Sequence, residues 1–304
     1  MATIEFGLMV GDTLEKARRP HYLEDVNRLL NTVKGVYTSA WFIDHLQSQD
    51  NDLLEGWTAL TYLAALHPEL QWGHAVLCQS FRNPALVAKM AATLQFLSGG
   101  RYILGIGAGW DEEEYLAYGY DFPAAGTRVE ELDEALQIIK TLWTQEEASF
   151  EGKHYRIRNA RCEPKPNPLP TIMVGAFKPK MLRVAARHAD WWNVSSTGIT
   201  DYRLCVQEFE RACEDVGRAL GSVRRSWCGG CACAPTEQEV ATMVEQRPQL
   251  QPGEDFIGTP RQLLEQMQPF VELGVDTFIL DCSGFPNLTT ATMLMNEVLP
   301  ALNR

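Results

Sequence analysis

Basic charge is what this chain has least of. Against 39 aspartates and glutamates it carries 27 lysines and arginines and only 6 histidines, for a formal net charge of −12. Nucleic-acid phosphates are gripped by basic patches, so nucleic acid is not an expected partner. A small anion held by a local site is still compatible. Long apolar runs are missing as well. None reaches the ~18 residues a membrane span requires, so no membrane is expected. Met1-Ala2-Thr3-Ile4-Glu5-Phe6 shows no basic stretch ahead of an apolar one, and the expected location is the cytoplasm. Zinc-type spacing is lacking too. Of the 8 cysteines, Cys228, Cys231 and Cys233 cluster, but no second Cys or His pair follows at ligand spacing, so buried reduced thiols are expected and no metal. Neither a G-x-G-x-x-G fingerprint nor a P-loop Lys-Ser/Thr occurs.

What is present is an ordinary globular mix, 45% hydrophobic and 22% charged over 304 residues. That length suits two domains or one large α/β barrel. The most informative stretch is 98–110. A Gly-Gly-Arg turn leads into the apolar run 102–106, which dissolves into Gly105, Gly107 and Gly109 ahead of Trp110 and the acidic residues 111–114. This reads as a buried strand, a mouth where a flat ligand can approach bare backbone, and a helix start favoured by acidic side chains.

The same alternation runs along the whole chain. Strands are expected at 4–10, 35–43, 70–78, 102–106, 171–174, 191–195, 225–234 and 277–281. Helices are expected at 23–33, 55–66, 84–97, 126–143, 181–188, 202–220, 260–273 and 289–302, with a small hairpin at 150–161 and a proline-rich linker at 164–170. Short apolar strands alternating with helices give parallel βα units. Eight of them with no break in composition make a (β/α)8 TIM barrel, as a single domain over 1–304, the economical α/β fold; a doubly wound open sheet is the alternative.

Barrel enzymes place their chemistry at the C-terminal strand ends. Those ends are Asp44-His45, Val76-Leu77-Cys78, Gly107-Ala108-Gly109-Trp110, Gly175-Ala176-Phe177, Asn193 to Ser196, Cys231 to Cys233 and Asp281-Cys282-Ser283. His45 is the candidate for acid-base work, with the adjacent Asp44 to orient it. Glu112, Glu113 and Glu114 are accounted for by helix-start electrostatics. The loop 246–257 would lie over the mouth.

The segment from Pro84 to Tyr118 closely resembles the bacterial luciferase-like monooxygenase superfamily. So do Ala40 to His45 and the stretch from Val174-Gly175-Ala176 to Trp191-Trp192-Asn193. The resemblance implies the same barrel and an oxidoreductase using either coenzyme F-420, a deazaflavin, or flavin mononucleotide (FMN) on a small-molecule substrate. Members that bind flavin without turnover also exist, and a homodimer is left open. The resemblance favours F-420 through the Asp44-His45 pair, which contacts the ring in deazaflavin users, and through 81–84. It implies a non-proline cis peptide at Ala75-Val76 in a bulge behind the ring, with His74 and Cys78 lining the pocket. Gly107, Ala108 and Gly109 would flank the ring. Gly175 and Ala176 would offer backbone N–H groups to the cofactor phosphate, helped by Lys178 or Lys180. Asn193 would complete the cofactor set. Trp110 stands where some relatives have a carboxylate.

Overall fold

The computed structural model describes residues 3–11, 13–14, 16–48, 51–282 and 287–304. Eight parallel strands form the frame: β1 (Glu5–Met9), β2 (Ser39–Phe42), β3 (Gln71–His74), β4 (Tyr102–Gly107), β5 (Thr171–Gly175), β6 (Trp191–Ser195), β7 (Arg224–Cys233) and β8 (Val275–Asp281). Each pairs with its sequence neighbour. β8 pairs with β1 and β4 with β5, so the sheet closes on itself. The expected (β/α)8 barrel is the fold observed.

Closure removes every sheet edge and leaves two faces to fill. The inner face holds Trp41, Ile103, Met173, Trp191, Cys228 and Ile279, one each from β2 and from β4 to β8. The outer face packs against the helices. Trp192, next to the inward Trp191, stacks on Phe209 of the helix Ile199–Asp215 at 4.3 Å between ring centroids. Period-two alternation thus places one tryptophan of the pair inside the barrel and the other beneath the helices. Among the described residues, no helix is long and apolar enough to cross a membrane.

Three local differences from the sequence expectation matter for the site. The expected strand 70–78 is interrupted: β3 ends at His74, the Ala75-Val76 peptide is cis, and a short strand Leu77–Cys78 resumes against β4. An unforeseen helix, Glu237–Glu245, follows β7, although its capping box of Thr236 and Glu239 was legible. Beyond β7's pairing with β8, Cys231, Ala232 and Cys233 take a new partner, the short strand Phe256–Gly258. The loop 246–257 lies between these elements. The hairpin is found as Ala148–Glu151 against Arg156–Ala160.

Candidate active site

The bulge 75–78 organises one side of the barrel mouth. A Cβ on Gly105 would collide with the His74 carbonyl, and one on Gly107 would come within 2.8 Å of Val76 Cγ2. A Cβ on Gly175 would lie 3.3 Å from the same side chain. The bare backbone of β4 and β5 is therefore what lets the third strand fold back across them. The cis bond implied at Ala75-Val76 is present, and its bulge faces the β4 glycines.

Asp44 holds this bulge from behind. Its Oδ2 accepts the Cys78 N–H at 2.9 Å, and the two carboxylate oxygens take a bidentate fork from Arg82 at 2.7 and 2.8 Å. Arg82 also donates to Glu55 at 2.6 Å, and Glu55 caps the helix Gly56–Leu66 by accepting from Trp57 and Thr58. The Asp44 side chain is buried. Burial is the largest influence on its carboxyl and pushes it up, while the Arg82 fork and the Cys78 N–H pull it back toward the ionised form.

This corrects the expected pairing of Asp44 with His45. Asp44 faces the guanidinium, and the imidazole meets Glu114 instead, with His45 Nδ1 3.2 Å from Glu114 Oε2. The N–H groups of Leu46 and Gln47 both donate to Glu114 Oε1, the second at 3.3 Å. Glu114 is therefore not a helix-start charge in solvent. It is buried, whereas Glu112 and Glu113 on the same turn are exposed. The helical period was the available signal, since Glu114 and Tyr115 fall on the inward face of the helix Glu112–Ala117. Trp110 stands exposed at the mouth, its ring edge-on to His45 at 5.7 Å between centroids.

Cys78 and Tyr115 form a second pair, with Sγ and the phenol oxygen 2.9 Å apart. Burial raises the thiol to about 11, so it is held neutral beside the bulge. His74 lies deeper. Its ring stacks on Trp57 at 5.2 Å and its Nδ1 is 3.1 Å from the Tyr102 hydroxyl. Burial, with the Arg82 charge adding, lowers it from 6.5 to about 3, so it is a neutral core residue and lines no open pocket.

Two further expectations change. Gly175 pairs with Asn193 in the sheet, and the Ala176 N–H donates to the Asn193 carbonyl at 2.9 Å. The ladder runs one residue past the strand end, so the Ala176 amide is engaged there and not offered to a phosphate. Lys178 is the N-cap position of the helix Pro179–His188, and its ammonium lies over the Phe177 ring. Asn193 is fully buried and bonds through its amide nitrogen to Ser226 Oγ at 3.0 Å. It sits inside the barrel, below the mouth. Asp281 and Cys282 reach the mouth; Ser283 lies outside the described residues.

Across from the bulge, β1, β7 and β8 border a cleft of about 700 Å³. The loop 246–257 lines it, as expected, and supplies Arg247 and Asp255. The Asp255 carboxylate accepts from the Ser196 hydroxyl at 3.1 Å, Gly230 N–H at 2.8 Å and Gln251 N–H at 2.9 Å. A Cβ on Gly229 would collide with the Trp227 ring and one on Gly230 with Leu250, and both would crowd the Asp255 carboxylate.

A closed parallel barrel with an imidazole-carboxylate pair and an open cleft at one mouth has the layout of (β/α)8-barrel enzymes. The Luciferase-like monooxygenase family model matches residues 9–254, and the chain belongs to that family. It is 34% identical to the F-420-dependent glucose-6-phosphate dehydrogenase of Kineococcus radiotolerans over 62% of this chain and 57% of that one, so it spans little more than half of that relative. The Amycolatopsis mediterranei enzyme of the same name matches at 24% identity over 87% of this chain and 90% of its own. Among solved structures, an F-420-dependent secondary alcohol dehydrogenase in complex with an F-420-acetone adduct superposes with a TM-score of 0.84 at 18% identity, covering 99% of this chain and 100% of that one. At that identity the likeness speaks for the fold.

Proposed function

We propose that the chain is an oxidoreductase that binds coenzyme F-420 at the barrel mouth and exchanges a hydride with a small organic substrate. The observation that carries this reading is the His45–Glu114 pair standing at the mouth beside the wall made by the bulge and the β4 glycines. A flat ring requires a rigid wall on one side and a polar, proton-handling group near its edge; the bulge seated on the β4 glycines offers the first and His45 the second. The names of the two relatives described above favour the deazaflavin.

When bound, the coenzyme supplies the hydride acceptor or donor. The chain's own residues do the rest. Val76 and Cys78 would back the ring, carried on Gly107, Ala108 and Gly109 of the β4 end. Asp44 and Arg82 keep the bulge in register. Glu114 accepts the Nδ1 proton of His45, which fixes the tautomer and leaves Nε2 to take a proton from an alcohol or return it to a ketone oxygen.

Fluorescence titration of the full chain with F-420 and with FMN tests the proposal. Tighter binding of F-420, with hydride transfer to or from an alcohol-ketone pair, is the expected result. Equal or reversed affinities would favour the flavin monooxygenase reading instead.

A further inference from the structure

The loop 246–257 flanks the mouth, and a single side chain ties it down at three points. Asp255 is buried. Its Oδ1 accepts the Ser196 hydroxyl past the end of β6 and the Gly230 N–H in β7, and its Oδ2 accepts the N–H of Gln251 in the loop itself. The Asp255 N–H returns to the Gln251 carbonyl at 2.8 Å, so the turn 251–255 is closed from both sides. Ser196 is held at a φ of +35°, a left-handed backbone that a serine keeps where its surroundings enforce it. A Cβ on Gly198 would lie 2.6 Å from the Gly253 carbonyl oxygen, so the tip of the loop rests on the start of the helix Ile199–Asp215. Ahead of the turn, Arg247 donates to the Cys231 carbonyl at 2.7 Å and to the Asp281 carbonyl at 3.1 Å.

Between these two anchors stands Leu250. Its side chain is buried and packs on the bare backbone of Gly230, the residue whose N–H Asp255 takes. Leu250, Met243, Met9, Val10 and Ile43 give the cleft apolar lining. Cys228 from the barrel interior lines it too, and Ile43 lies two residues before His45. The cleft therefore borders both the barrel interior and the segment that carries the imidazole. We propose, resting on the functional reading given above, that Asp255 is a positioning residue for the substrate. It holds the loop as a fixed wall, and through Leu250 it sets how tightly the cleft grips the apolar body of an alcohol or ketone. Its effect falls on substrate affinity, while the bulge side of the mouth, where the coenzyme ring is assigned, is held by Asp44 and Arg82.

The test uses cyclohexanol, an apolar body with one hydroxyl, on the full chain with and without saturating F-420. NMR titration gives its affinity for the wild type, Asp255→Asn, Leu250→Ala and the double variant, and steady-state kinetics gives KM and kcat. In Asp255→Asn either orientation of the amide sets an NH2 group against the N–H of Gly230 or of Gln251, so at least one tie is lost. Cyclohexanol is expected to bind about tenfold more weakly, with KM raised to match. The kcat and the Kd of F-420 should stay within about twofold. Leu250→Ala should weaken cyclohexanol likewise, and the double variant no further than the worse single one, because both act through one wall. Unchanged cyclohexanol affinity in folded Asp255→Asn, an equal loss in kcat or in F-420 affinity, fully additive losses, or no binding of cyclohexanol to the wild type in either arm would overturn the proposal. If F-420 fails to bind the wild type, the cofactor reading fails while the arm without coenzyme still decides this one. Should Asp255→Asn not fold, Ser196→Ala, which removes one of the three donors, is expected to weaken cyclohexanol about threefold; an unchanged affinity there would overturn the proposal equally.

Discussion

The carboxylate on His45 Nδ1 belongs to Glu114, 69 residues further along the chain, while the neighbouring Asp44 turns into the Arg82 fork. Two acidic residues near one imidazole thus have different tasks. Glu114 orients the ring, and Asp44 holds the bulge. That division can be measured.

His45→Ala is expected to lower turnover by about 10²-fold or more, the low end for a general acid-base group, with little effect on the melting midpoint. Glu114→Gln should also lower turnover, because the amide cannot fix the same tautomer. If the two act as a unit, the double variant should be about as slow as His45→Ala alone. Steady-state kinetics on the four proteins decides it; fully additive losses would mean independent roles.

Asp44→Asn should act mainly on stability and coenzyme affinity. It leaves Arg82 short of its bidentate partner at a buried position, and breaking such a pair costs about 3 kcal/mol. Urea midpoints and the coenzyme Kd provide the check. A stable variant with lost turnover would return Asp44 to the chemistry.

Gly105→Ala should destabilise the fold by about 3 kcal/mol, since the new methyl has no room against the His74 carbonyl and either β4 or the bulge must shift. Gly99→Ala, where the added Cβ meets no atom but the backbone φ is +67°, separates backbone strain from this collision. The collision predicts that Gly105→Ala also weakens coenzyme binding, whereas Gly99→Ala leaves it unchanged.

The buried His74 predicts a pH dependence. Its folded pKa is depressed to about 3 against 6.5 in the unfolded chain. Above pH 6.5 both states are neutral at this site and the stability is fully present. As the pH falls below 6.5 the unfolded chain takes up the proton and the folded one does not, so stability drains away toward pH 3, with about 2 kcal/mol lost by pH 5. Denaturation midpoints across that range for the wild type and His74→Gln test it; the variant should lack this part of the slope.

The frame of this protein was legible in the sequence because its signals are local. Residues 132, 136, 139 and 143 recur at helical spacing and become the buried stripe of the helix Ala125–Thr144. The run 102–106 with its glycines becomes β4, and the strand ends mark the mouth. Proximity in sequence misled where two side chains stand one residue apart. Asp44 and His45 alternate in direction as strand-end residues do, so adjacency in the chain separates them in space.

Only the tertiary structure decided which carboxylate His45 meets, what Asp44 holds, and which charges face the cleft. Glu114 comes from the helix after β4, Arg82 from the turn after the bulge, Arg247 and Asp255 from the loop after β7. Nothing in the spacing of residues tens of positions apart sets a distance between them. Closure of the barrel does, by bringing all eight strand ends to one face, where burial then determines which charges must be paired.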